Sequence, residues 1–200
     1  MKKLKNIIEA PFGETKVLLH TCCAPCSSAI IEALLKNGIT PVIYYCNPNI
    51  FPQEEYEIRK DECTRYAKAL GLEIVDADYD HDNWLEAMKG LEAEPERGGR
   101  CLKCFKLRLL RTAEYARDHG FKVITTTLAS SRWKSLDQIN EAGLWACNAV
   151  ENVPPDDRVI WWNQNWRKGG LQERRLQIIK EYDFYNQQYC GCEFSMRNKD

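Results

Sequence analysis

Short apolar runs alternate with helical patterns along most of this chain, and no other property restricts its fold as tightly. "KVLLH" (16 to 20) reads as a buried strand, and "SSAIIEALLKNG" carries apolar residues at helical spacing from Ser27 until Gly38 stops it. "PVIYYC" (41 to 46) is a second strand, followed by the loop "NPNIFP" and a helix from about residue 53 to 70 that Gly71 ends. "LEIVDAD" (72 to 78) and "FKVITTT" (121 to 127) repeat the strand pattern. Helices are expected from about Asn83, with Glu86 completing a capping box, over 101 to 118, and after the "SLDQ" cap at 135 to 138. Such alternation predicts an α/β fold, with a parallel sheet, right-handed crossovers and helices on both faces. Towards the end, "RVIWWNQNW" reads as an edge strand and "LQERRLQIIKEYDFYNQQ" as a long helix that delivers "YCGC".

No internal repeat, low-complexity tract or long linker breaks the pattern, so residues 1–200 are expected to form a single domain. The start "MKKLKNIIEAPFGETK" is basic, but its apolar segment is short and no small-residue cleavage site follows. No stretch approaches a membrane span. The expected location is therefore cytoplasmic, where thiols stay reduced, and ten cysteines then read as metal ligands or redox centres rather than a disulfide framework.

In sheets of this kind ligands sit beyond the carboxyl ends of the strands. The first such end reads "HTCCAPCSS": His20 closes the strand, and Cys22, Cys23 and Cys26 follow. Cys101 with Cys104, and Cys190 with Cys192, make two further groups. A lone Cys-x-x-Cys suits zinc, a redox disulfide or an iron–sulfur cluster. Structural zinc usually takes its ligands from two Cys knuckles, and adjacent Cys22 and Cys23 make a poor one. The corners of an iron–sulfur cube lie far enough apart for two neighbouring cysteines plus a distant Cys-x-x-Cys. Residue type and spacing thus favour an iron–sulfur centre, with structural zinc as the alternative. The Cys190-Gly191-Cys192 pair suits a redox disulfide or a second metal. Cys46, Cys63 and Cys147 stand alone and are expected to be buried.

Net charge is −1, which argues against wholesale polyanion binding, but two segments are locally basic. "RGGRCLKCFKLRLLR" (97 to 111) has no acid, and "WRKGGLQERRLQIIK" (166 to 180) has only Glu173. Either could be a solvated helix face or a nucleic-acid contact.

"LLHTCCAPCS", "YYCNPNIFPQEEYEIRKDEC", "EPERGGRCLKCFKLRLLRTAEYA" and "YCGCEFS", in that order, resemble the cobalamin-independent epoxyqueuosine reductases, iron–sulfur enzymes of tRNA modification. The resemblance runs from about residue 16 to 197. It implies two-electron reduction of the epoxide of epoxyqueuosine, at the wobble position of tRNA, to the alkene of queuosine, the last step of queuosine biosynthesis. It also implies a fold similar to the nucleotide-binding ATP-pyrophosphatase type, with a helical C-terminal part carrying the Cys-Gly-Cys tail. Cysteines stand where a Gly-rich phosphate loop would follow the first strand, so no ATP use is expected, and no cobalamin. Carried over by motif, Cys22, Cys23, Cys101 and Cys104 would hold a [4Fe-4S] cluster, and Cys190 with Cys192 would be the redox-active catalytic pair. The resemblance also admits an additional iron, with Cys190, Cys192 and Cys26 as its ligands.

Removing the epoxide oxygen as water takes two electrons and two protons. A four-iron cluster ordinarily passes one electron at a time, so the Cys190/Cys192 dithiol or a neighbouring iron would complete the chemistry. The implied partners are tRNA carrying epoxyqueuosine and an unidentified ferredoxin- or flavodoxin-like electron donor, with no membrane. Tyr189, Glu55, Asp78 and Asp80 are candidate proton donors, and none is selected. Trp161, Trp162 and Trp166 are candidates for base stacking, or simply core. The competing reading from a different class is a zinc-thiolate RNA-binding protein without redox activity.

Overall fold

The computed structural model describes residues 8–151, 154 and 158–196; the basic start of the chain, residues 1–7, lies outside them. Five parallel strands, β1 (Lys16–Thr21), β2 (Thr40–Tyr45), β3 (Ile74–Asp76), β4 (Val123–Thr126) and β5 (Ile160–Trp161), form one sheet in the order β3-β2-β1-β4-β5. The helices are α1 (Ala24–Lys36), α2 (Gln53–Ala69), α3 (His81–Met88), α4 (Gly99–Asp118), α5 (Leu136–Ala149) and α6 (Leu171–Glu181).

Strand β1 is covered on both faces, which is why it reads as an unbroken apolar run. Val17 and Leu19 pack among residues of α1, α2 and α6, whereas Leu18 packs among residues of α4 and α5. The chain runs outward from β1 to β2 and β3, then crosses back to β4 on the other side of β1. The crevice where strand order reverses therefore lies at the carboxyl ends of β1 and β4, the place where such sheets hold their ligands.

Several boundaries differ from the sequence expectation. Helix α1 starts at Ala24 rather than Ser27, because Pro25 is accommodated in its first turn, where no backbone donor is needed. Ser27 lies inside the helix, its hydroxyl donating to the Cys23 carbonyl at 3.1 Å. Helix α3 starts at His81, with Asn83 inside it donating to Asp80. Ser135 caps α5 as expected, accepting from the Gln138 amide at 3.3 Å, and β5 is an edge strand.

The long C-terminal helix is the main correction. α6 stops at Glu181, Asp183 takes a positive φ of 48°, and Phe184 folds back edge-on to Tyr66 with ring centroids 5.2 Å apart. Burial of that ring among Tyr66 and Tyr182 outweighs the helical propensity of the segment. The Cys-Gly-Cys motif is consequently carried by irregular chain, and Gly191 accepts a backbone hydrogen bond from Phe51 at 2.9 Å.

Candidate metal centre

The site is built on the ends of β1, β2 and β4, and His20 ties them together. Its Nε2–H donates to the Cys46 carbonyl at 3.0 Å, and its Nδ1 accepts from the Thr126 hydroxyl at 2.7 Å. A carbonyl can only accept, which fixes a proton on Nε2, and the Thr126 hydroxyl suits Nδ1 of the neutral ring as a donor. Complete burial, and then the charge of Arg108, hold the His20 pKa down to about 3.

Immediately beyond His20 the chain turns into α1, with Cys23 as N-cap and Cys26 in the first turn. The sulfurs of Cys22, Cys23 and Cys26 lie within 4.8 Å of one another, an arrangement that could hold a metal ion. Thr127, just after β4, binds both ends of Cys22, accepting from its amide at 3.2 Å and donating to its sulfur at 3.5 Å. Gln187 donates to the Cys23 sulfur at 3.0 Å. Hydrogen bonds from Cys23 and Cys26, helped by the charge of Lys134, push the Cys22 thiol well below its ordinary pKa. The three sulfurs share their hydrogen bonds beside a helix N-terminus, which favours negative charge on the group.

Cys101 and Cys104 come from the start of α4, and the Arg97 amide donates to the Cys101 sulfur at 3.3 Å. Cys104 is buried in a small cluster with Trp84, Met88 and Cys192. A cleft of about 920 Å³ is lined by Cys22, Cys26, Cys101, Cys104, Cys190 and Cys192. Cys23 is buried and lies outside that lining. Three cysteine groups from distant parts of the sequence therefore meet at one place, and all ten cysteines are free thiols.

Two cations, buried Arg108 and half-buried Lys134, face these sulfurs. Arg108 donates to the Cys46 carbonyl at 3.2 Å and to the Asn47 side chain, which in turn donates to the Thr21 carbonyl at 2.9 Å. Burial pulls the Arg108 pKa down, but the charges of Cys104, Cys22 and Cys190 outweigh it and raise the pKa above its usual value. Lys134 is raised in the same way, against burial, by Cys190, Cys22 and Cys26. Soft sulfur donors, two cations beside them and a single acid in the lining, Glu96, suit an anionic thiolate–metal assembly better than a hard, carboxylate-bound ion.

The family described as epoxyqueuosine reductase QueH matches residues 17–198. The chain belongs to that family. Its relative in Haemophilus influenzae, an epoxyqueuosine reductase QueH, is 48% identical over 197 residues, 98% of this chain and 78% of the relative. The QueH of Acinetobacter baylyi is 46% identical over 198 residues, 99% of this chain and 88% of the relative. That of Thermotoga maritima is 32% identical over 183 residues, 90% of each. Membership favours the enzyme over the zinc-thiolate RNA-binding protein.

Within this QueH chain, the structure brings the three cysteine groups to one place, with Cys26 beside Cys22 and Cys23 as in the sequence. Cys46, Cys63 and Cys147 are buried, as expected. The three tryptophans considered for base stacking are core: Trp161 packs on Gly143 of α5, and Trp162 meets Trp166 edge-on across the other face. Glu55 is no free acid but the buried partner of Arg59, at 2.7 Å. The basic run 97 to 111 divides: Arg100 is buried against the carbonyls of Leu91, Glu92 and Glu94, Arg108 faces the sulfurs, and Arg97 reaches the rim. Lys134 and Trp133 went unnoticed in the sequence. Their one signal was position, in the loop that follows the end of β4.

Proposed function

We propose that this QueH chain is an epoxyqueuosine reductase. It reduces the epoxide of epoxyqueuosine at the wobble position of tRNA to the alkene of queuosine, consuming two electrons and two protons and releasing water. Convergence of Cys22, Cys26, Cys101, Cys104, Cys190 and Cys192 on one cleft is the observation that carries the reading. Cys22, Cys23, Cys101 and Cys104 would hold a [4Fe-4S] cluster. Cys190 and Cys192 would act as a redox pair or, with Cys26, hold an additional iron. When bound, the cluster would supply electrons one at a time.

The chain's own residues set the conditions for that chemistry. Arg108 and Lys134 offset negative charge on the sulfurs, and neutral His20 locks the strand ends that carry them. Arg59 and Gly191 seat the Cys190–Cys192 tail at the cleft. A five-stranded parallel sheet supports an ATP-pyrophosphatase-like fold, and cysteines in place of a phosphate loop support a chain that uses no ATP. One sheet shared by both apolar cores supports a single domain. Among the described residues no helix is long and apolar enough to cross a membrane. A cytoplasmic location would keep these thiols reduced, and a ferredoxin- or flavodoxin-like protein would donate the electrons.

The test is conversion of epoxyqueuosine-containing tRNA to queuosine by anaerobically reconstituted protein with a strong reductant. A brown protein that forms queuosine is the expected result. A colourless protein carrying stoichiometric zinc and forming none would overturn the reading.

A further inference from the structure

Trp133 is the most exposed tryptophan of the chain, at 75%, and it lines the cleft that holds the cysteines. Its indole is free, yet its backbone is fastened. Arg97 donates from Nε to the Trp133 carbonyl at 2.9 Å and from Nη2 to the Arg132 carbonyl at 2.7 Å. Arg167 donates to the Lys134 carbonyl at 2.7 Å, and the Trp133 amide donates to the Ser131 hydroxyl at 3.3 Å. A large flat ring on a fixed main chain is arranged to meet a flat partner at low entropic cost.

The surroundings indicate what that partner carries. Arg132, Lys134 and Arg175 share the lining with Arg97. Arg97 and Arg167 direct their donors to backbone carbonyls rather than carboxylates, leaving their charges for an outside anion. Burial, and then the neighbouring Arg97, pull the Arg167 pKa down, and its Nε is buried without a hydrogen-bond partner. Guanidiniums gathered at one rim match a phosphate, and a ring beside them matches a base.

We propose that the loop 131–134 is an RNA platform, on which Trp133 stacks an unpaired base next to the modified nucleotide while Arg97 and Arg132 take the adjoining phosphates. The proposal rests on the tRNA substrate inferred above and names where that substrate is gripped. Stacking on an aromatic face tolerates any base, so the platform would position the anticodon loop without reading its sequence.

The test uses the reconstituted holoenzyme and an anticodon stem–loop RNA carrying epoxyqueuosine. Trp133→Ala should weaken RNA binding about tenfold and raise KM more than it lowers kcat. Trp133→Phe should recover most of that loss. Trp145→Ala, which removes an indole 41% exposed on α5 and outside the cleft lining, should match wild type. Arg97→Gln and Arg132→Gln should each flatten the salt dependence of binding by about 0.7 in log–log slope. Iron content and the visible spectrum of each variant confirm that the cleft is intact. Wild-type affinity and KM in Trp133→Ala, with wild type active, would overturn the platform and leave the enzyme reading standing. A wild type that binds the RNA through Trp133 but forms no queuosine would do the reverse. Loss of turnover in Trp133→Ala with a protein electron donor only, and not with a chemical reductant, would make the loop a protein-docking face and also overturn the platform.

Discussion

Arg59 holds Cys190 by its backbone. The guanidinium donates from Nη1 to the Cys190 carbonyl and from Nη2 to the Tyr189 carbonyl, both at 3.2 Å, while Glu55 anchors it from the other side at 2.7 Å. The ion pair is buried, so it is a rigid post rather than a surface contact. Arg59→Ala would leave the Glu55 carboxylate buried and unpaired, and stability is expected to fall by about 3 kcal/mol, read from denaturant unfolding.

Gly191 passes close to the same post at a φ of 111°, and a Cβ there would meet Ile50 at 2.9 Å and Arg59 at 3.1 Å. Gly191→Ala is therefore expected to shift the Cys190–Cys192 tail. Single-turnover reduction should slow on the order of 10- to 100-fold, because small misplacements of reacting groups are costly. An unchanged rate would mean that the tail's seat is irrelevant to the chemistry.

Cysteine variants separate the two proposed arrangements of the tail. Cys22→Ala, Cys101→Ala and Cys104→Ala should each lose the brown colour and activity together. Cys190→Ala should abolish turnover and keep most of the iron if the pair is a dithiol. If Cys190→Ala and Cys26→Ala each lose part of the iron but keep the cluster's spectrum, they hold a second ion. Cys147→Ala, at a buried position away from the cleft, serves as the control.

Arg108 bears on Cys104, Cys22 and Cys190 at once. Arg108→Met keeps much of the volume and removes the charge. Outer groups that orient or neutralise ligands typically change metal affinity about 10- to 100-fold, and a loss of that size is expected in chelator competition. Affinity equal to wild type would show that Lys134 suffices.

Acid stability should depend on His20. Its folded pKa, about 3, lies below the ordinary value of 6.5, so the unfolded chain binds the extra proton between these limits. Stability from this residue is complete above pH 6.5 and declines as pH falls towards 3, by about 2 kcal/mol at pH 5. Denaturant unfolding of the metal-free protein at pH 7 and pH 5 should show a smaller difference in His20→Gln than in wild type.

The strand cores and most helices were legible because a buried strand and an amphipathic helix each write their period into neighbouring residues. β1 reads correctly from "KVLLH", and the Ser135 cap is where "SLDQ" places it. The start of α1 lies three residues ahead of Ser27 because a first turn accommodates Pro25, which no apolar period announces. The tail from Tyr182 onward was misread because its path depends on Phe184 meeting Tyr66, more than a hundred residues earlier.

The same division holds for the site. By itself the sequence determined that thiols stand at the end of a central strand, and that two further cysteine pairs exist, since these are properties of short segments. Only the tertiary structure decided that the three groups share one cleft, that Arg108 and Lys134 face it, and that Trp133 rather than Trp161, Trp162 or Trp166 is exposed beside it. Strand order causes that convergence: placing β4 beside β1 brings the loop after Thr126 to the end of "LLHTCC". No local period encodes a pairing between residues that far apart.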